Sequence, residues 1–414
     1  MKQMFTLLFC FVLTLAQAQD PGRNRPQWQV WNHGNSILPD DSVLCVAFDS
    51  SDVKWIATPQ GMYSFGSGEW NAFTTSGSGI PGDIVRWIQV DHDQSKWVGT
   101  WYHGIGKLQG NSWTIYNYST GITTVETTNK IIPGPGITKY VATSWGMCFY
   151  DGTTWTLNGP PVSSGIKWLY DISLDISGNP WMATFWDGFY KFEASTWTAY
   201  NTGNSGVPAD YARCVTPAPD GTVWMGSAGL TVFNGLTWIT YTSSNSPLPG
   251  NNVYCISIDA SGNKWIGTER GLAKFDGSSW TIYNTHNSGL PDSIINCISF
   301  DRYGNLWIGA GSNLVEFNEN GIVSGMRSSS EQAGLAVSLN PNPVKDMAIF
   351  RISGNSRNYT LSIYNVCGQY LLTVQSESAA NLMRVNTSGL LPGLYFYRLE
   401  TQDQKGACGR FIKE

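Results

Sequence analysis

The stretch VYCISIDASGNKWIGTERGLAKFDGSSW, residues 253–280, decides the fold. It reads as four short β runs. Residues 253–259 alternate and are rich in β-branched side chains, and Asp259, Gly262 and Asn263 supply a tight hairpin turn. KWIGT (264–268), GLAKF (271–275) and the run through Trp280 follow as strands two, three and four. No part of the stretch has a sustained helical period, so it is expected to be all-β.

Outward from this unit the pattern recurs. One aromatic ladder is Trp28, Trp70, Trp113, Trp155, Trp197, Trp238 and Trp280, and a second is Trp55, Trp97, Tyr140, Trp181, Trp224, Trp265 and Trp307, both with steps of 41–43 residues. A period of that size, with four strands per unit, indicates a propeller blade. Two residues after each aromatic of the second ladder stands a small residue: Ala57, Gly99, Ala142, Ala183, Gly226, Gly267 and Gly309. Close-packed neighbouring sheets need small side chains where they approach. The first ladder starts ahead of every second strand, and the last unit, ending near Phe317, has no outer strand of its own. The sequence therefore predicts an all-β, seven-bladed β-propeller over 19–318, closed by the N-terminal strand around Trp28–Trp31.

The NSGLPDS-type loop, the Asp-x-x-Gly-Asn-x-Trp turn and Trp-Ile-Gly-Thr-x-x-Gly-Leu resemble the two-component-regulator propeller family. Units six and seven carry the match best. Residues 126–139 lose the turn motif, and Pro217 and Pro219 interrupt unit five. In that family such repeats form sensor ectodomains, but no kinase region or membrane span is visible here, so the sensor role does not carry over from the resemblance.

The net charge is −5 and 13% of the residues are charged, which argues against nucleic-acid binding. A basic start, the apolar run 5–16 and Ala16-Gln17-Ala18 read as a secretory signal peptide over 1–18. Of the seven cysteines beyond it, Cys45, Cys214, Cys255 and Cys297 each lie ten residues before a second-strand Trp. A ring of metal ligands is the sharp reading, and a small buried side chain copied by duplication is the plain one. No metal or cofactor is expected.

After Phe317 the composition changes. Residues 319–335 read as a Ser- and Gly-rich linker, and 336–414 as a small Ig-like β-sandwich with strands at 346–352, 359–366, 369–375, 382–386, 393–400 and 408–412. Asn340-Pro341-Asn342-Pro343, Ile363-Tyr364-Asn365, Leu390, Pro392-Gly393-Leu394-Tyr395 and Gly409-Arg410-Phe411-Ile412-Lys413 resemble the type A C-terminal sorting domain of the type IX secretion system. Cys367, Cys408 and the terminal Glu414 depart from the pattern. The resemblance implies handling of 336–414 by that secretion machinery, passage across an outer membrane of the Bacteroidetes type, and removal of the module. The product would be extracellular, released or attached to the outer surface.

A ligand site is expected on the loops joining second to third strands, which differ most between units. They read Pro59-Gln60, Trp101-Tyr102-His103, Ser144-Trp145, Phe185-Trp186-Asp187, Ala228, Glu269-Arg270 and Gly311-Ser312. Those of units two and four are one residue longer. Their aromatics suit sugar rings or apolar peptide groups, and Glu269 and Arg270 complete the candidate set for an extracellular glycan or protein partner. For catalysis the four histidines offer only His103 with Asp187, without a nucleophile motif or paired carboxylates. The Asp-x-x-Gly-Asn turns lack the recurring carboxylates of a calcium loop. A non-catalytic binding or adhesion propeller is the primary expectation. A propeller lyase or glycoside-processing enzyme, and a detached sensory ectodomain, are the alternatives.

Overall fold

The computed structural model describes residues 26–120, 127–160, 168–322, 336–339, 343–353, 359–365, 370–376, 382–401 and 406–414. The expected signal peptide, most of the linker, Asn340, Pro341, Asn342 and Cys367 lie outside them. The chain forms two compact units, Met1–Val323 and Ser324–Glu414.

In the first unit the described strands form seven antiparallel sheets of four strands each. Sheet six has the strands Val253–Ile258, Lys264–Thr268, Gly271–Phe275 and Trp280–Tyr283, close to the sequence reading. Sheets one to five repeat this plan over 45–73, 85–116, 128–158, 169–200 and 214–241. Sheet seven is built from Ile295–Phe300, Leu306–Ala310 and Asn313–Asn318, and its fourth strand is Gln27–Trp31 from the other end of the unit. Val30 pairs with Val315 and Trp31 with Leu314. Trp28 stacks on Phe317 at 3.9 Å, Trp31 on Trp307 at 5.3 Å, and the Asn32 amide donates to Asn313 Oδ1 at 3.1 Å.

The first strand of each sheet contacts the first strand of the next, and that of sheet seven contacts that of sheet one. At every junction one position supplies a bond. It is the first-strand residue paired opposite the small residue: Cys45 with Ala57, Trp87 with Gly99, Lys130 with Ala142, Asp171 with Ala183, Cys214 with Gly226, Cys255 with Gly267 and Cys297 with Gly309. The Cys45, Cys214, Cys255 and Cys297 thiols donate to the carbonyls of Ile88, Val253, Ile295 and Val43 on the next sheet at 3.6–3.8 Å. Of the three other members, Lys130 and Asp171 act through charge and Trp87 through its ring face. The Lys130 ammonium lies 5.0 Å from the Trp87 ring centroid and 2.6 Å from Asp171 Oδ1, and Asp171 Oδ2 accepts from Val215 N at 2.8 Å.

The small residues make this approach possible. A Cβ on Gly99 would stand 2.5 Å from Thr128 Cγ2, and one on Gly267 would stand 2.7 Å from Ile295 Cγ2, both on the following sheet. The Asp-x-x-Gly-Asn-x-Trp turn is explained within its own sheet. Asp259 Oδ1 accepts from Ser261 N and Asn263 N, while Oδ2 accepts from Asn263 Nδ2 and the Trp265 indole. Burial alone would push the Asp259 carboxyl up, but these bonds outweigh it and hold it below the usual carboxylate range.

The second unit is two sheets over one core. Three strands, Ala336–Leu339, Met347–Ser353 and Leu382–Asn386, face four, Tyr370–Gln375, Tyr359–Tyr364, Gly393–Thr401 and Gly406–Lys413. Ala348, Phe350, Ile352, Leu361, Ile363, Val385, Tyr397, Leu399 and Phe411 fill the space between them.

Two outcomes follow from the junctions. Gly226→Val is expected to cost about 1–3 kcal/mol, read as a lower denaturant midpoint, because a Cβ there meets Cys214 Sγ and lies 2.8 Å from Val253 Cγ1. An unchanged midpoint would contradict the close approach. Burial pushes the Cys45 thiol up to about 12 and raises those of Cys214, Cys255 and Cys297. Iodoacetamide at neutral pH should leave these four unmodified in peptide maps until denaturant is added.

Candidate functional site

Five of the seven loops from second to third strand stand on a fixed base. The hydroxyls of Thr58, Thr100, Thr143, Thr184 and Thr268 donate to the carbonyls of Gly61, Gly104, Gly146, Gly188 and Gly271 at 2.8–3.0 Å. Between Thr and Gly lie two residues in sheets one, three and six, but three in sheets two and four. The extra residue lifts the loop, and Tyr102 takes a φ of 66°, left-handed backbone that a tyrosine rarely adopts.

The predicted residues divide by placement. Tyr102, Trp145 and Trp186 are 64%, 55% and 54% exposed, and His103 and Arg270 are also exposed. Trp101 and Phe185 are half-buried, and Asp187 is buried. His103 places Nδ1 3.0 Å from the Trp101 carbonyl, while the Asp187 backbone N–H donates to Thr184 Oγ1. Glu269 is half-buried, and its Oε2 accepts from Asn252 N at 2.9 Å. Glu269 and Arg270 stand on the loop of sheet six, with no ring contact to the aromatic loops of sheets two and four among the described residues.

Two rings outside the candidate loops join the aromatics of sheets two and four. Trp101 of sheet two meets Trp168, at the entry to sheet four, at 5.9 Å. Trp168 meets Phe185 at 6.1 Å and Tyr170 at 6.4 Å, Tyr170 meets Phe185 at 5.4 Å, and Phe185 meets Trp186 at 4.3 Å. The result is a continuous aromatic run from Tyr102 to Trp186. Trp145, on the intervening sheet three, has no ring contact among the described residues.

Tyr170 owes its place to a β-bulge. In sheets two, three, four, six and seven the register skips one first-strand residue: Arg86, Asn129, Tyr170, Tyr254 and Asn296. A bulge re-aims the skipped side chain. Arg213 of sheet five holds the same repeat position. Arg86 Cζ lies 4.6 Å from the Trp101 ring centroid, and Arg213 Cζ lies 4.9 Å from that of Tyr254 and 5.6 Å from that of Tyr211. Burial pushes the Arg86 guanidinium down and the Tyr170 phenol up, while the charges of Arg213 and Arg86 pull that phenol back. Sequence reasoning restricted to loops missed Arg86, Trp168, Tyr170 and Arg213. Aligning the repeats eleven residues before the second-strand aromatic would have exposed a column of Leu, Arg, Asn, Tyr, Arg, Tyr and Asn.

At the other end of the first strands a cavity of about 370 Å³ is lined by Phe48, Val90, Ser257, Phe300 and neighbours, none ionisable. Among the described residues no three His, Cys, Asp or Glu side chains gather as metal ligands. Nor is any described helix long and apolar enough to cross a membrane.

Residues 338–414 match the model of the secretion system C-terminal sorting domain, and residues 247–270 and 289–312 match that of the two component regulator propeller. The latter segments are the units six and seven singled out above. No curated protein matches the sequence. Among solved structures, the chain is similar to an extracellular domain assigned to a hybrid two component system of B. thetaiotaomicron, at 16% identity and TM-score 0.61, covering 94% of this chain and 57% of that one. It is also similar to PorZ, an essential surface component of the type-IX secretion system of Porphyromonas gingivalis, at 18% identity and TM-score 0.56, covering 90% and 59%. A virginiamycin B lyase from Staphylococcus aureus is similar at 13% identity and TM-score 0.59, covering 71% of this chain and 99% of that one. The chain thus spans less than three fifths of the first two, and identities this low describe the fold alone. The sorting domain marks export by type IX secretion to the cell surface or the extracellular space. The protein joins two-component-regulator propeller repeats to a type IX secretion C-terminal sorting domain.

Proposed function

We propose that residues 19–318 form a seven-bladed propeller closed by its N-terminal strand, that 319–335 link it to an Ig-like sandwich over 336–414, and that the propeller is a non-catalytic module binding extracellular carbohydrate. The ring of first-strand contacts supports the blade count. One observation carries the binding reading. Tyr102, Trp145 and Trp186 project into solvent from neighbouring loops, while the half-buried run Trp101–Trp168–Phe185 braces two of those loops from behind. Exposed aromatic rings on a braced support are recognition surfaces, and their flat faces suit the C–H faces of sugars.

Trp145→Ala and Trp186→Ala in the full chain are each expected to weaken capture of surface polysaccharide oligosaccharides, on an array and by calorimetry, by about tenfold. Their melting temperatures should stay near that of the parent. Undiminished capture by both variants, or capture of proteins but no glycan, would refute the reading.

A further inference from the structure

Among the described residues, the two arginines beside the aromatic run have no counter-ion. Lys54, Lys96, Lys107, Lys130, Lys139, Lys191 and Lys274 of the first unit each reach a carboxylate. Arg86 and Arg213 meet only rings, and the Nε of each is buried without a hydrogen-bond partner among the described residues. The chain holds 30 Asp and Glu against 25 Lys and Arg, so the lack of a partner at both positions does not reflect a shortage of acids. A guanidinium taken partly out of water without an anion is costly. Two such groups, both within electrostatic reach of Tyr170, make a site poised for a negative charge that no described residue supplies.

We propose that the ligand is an acidic glycan whose carboxylate or sulfate is bound by Arg86 and Arg213 beside Tyr170, with neighbouring sugar rings on the exposed aromatics. The inference rests on the carbohydrate reading above and adds the charge of the ligand. The chemistry is specific. A guanidinium fork matches the paired oxygens of a carboxylate or a sulfate and binds them in a planar, two-bonded way. Stacking on Trp101 and on Tyr254 fixes each plane in advance, so little freedom is lost when the anion arrives. A glycan fits better than an acidic peptide, because the residues around the arginines offer flat rings rather than an open strand edge. Sulfate and carboxylate share this recognition and are separated by the probes.

Full-length protein is titrated with oligogalacturonate, its methyl ester, chondroitin sulfate oligosaccharides, unsulfated chondroitin and a poly-glutamate peptide. At least one acidic oligosaccharide is expected to bind about tenfold or more tighter than its uncharged or less charged counterpart, with affinity falling as salt rises. Arg86→Gln and Arg213→Gln should each remove most of that preference and leave the weaker binding of the methyl ester in place. Arg213→Lys should restore part of it, since the charge returns without the fork. If the methyl ester binds as tightly as the acid, the charge inference fails and the aromatic reading survives. If poly-glutamate competes as well as the glycans do, the ligand class is wrong. If no oligosaccharide binds, both readings fall. Should the Gln variants not fold, the comparison of acid with ester on the parent protein still decides the question.

Discussion

A single position in the repeat holds the sheets of the first unit against one another. The residue opposite the small one must reach across a gap too narrow for most side chains and bond the next sheet. A cysteine does this at four junctions, since a thiol is small, tolerates burial and still donates weakly. At the others, Lys130 and Asp171 act as a pair. Neither charge is viable alone in this setting, because an unpaired ion in the interior costs more than the contact returns. The pair is balanced by the Trp87 face on one side and the Val215 N–H on the other. The charged arc is thus one connected substitution of the thiol pattern, spanning sheets two to five.

The same constraint explains the second-strand glycines and the closing strand. Lys54 lies over Trp307 at 5.1 Å, Lys96 over Trp55 at 4.7 Å, Lys139 over Trp97 at 5.5 Å and Lys264 over Trp224 at 5.1 Å, each from the sheet that follows the ring it covers. The first of these joins sheet one to sheet seven, where Gln27–Trp31 supplies the missing strand. The first and last strands of the unit are held to each other by backbone pairing and by the Trp28–Phe317 stack.

Most of this was legible in the sequence because it repeats. Trp265, Gly267 and Asp259 recur with one period, and each copy raises the weight of the others. The strands of the second unit were legible for another reason: apolar alternation between turn residues, as in Leu361 and Ile363 or Tyr395, Tyr397 and Leu399. The candidate site was legible only in part. Tyr102, Trp145 and Trp186 stand out on loops that differ between units. Trp168 and Tyr170 do not, since their significance depends on sheets two and four meeting past sheet three. Arg86 and Arg213 were hidden by the absence of any pattern between them. They are two departures at one repeat position, of which Arg86 stands on a bulge and Arg213 directly precedes its first strand.

The departures coincide, and that coincidence bears on function. In the loops that lead into sheets five, six, seven and one, an asparagine bonds back to the preceding strand: Asn204 to Ala199 O, Asn245 to Thr240 O, Asn287 to Ile282 O and Asn35 to Val30 O. The segments 117–128 and 158–169, which lead into sheets three and four, lack this Asn-Ser-x-x-Pro pattern. The longer loops, the exposed rings, the aromatic run and the Lys130–Asp171 junction all fall on the same arc. A ring of like sheets gains stability from sameness, because each junction copies a tested fit. Giving up that sameness here, for exposed aromatic rings and arginines that no described carboxylate meets, is the departure on which the binding proposal rests.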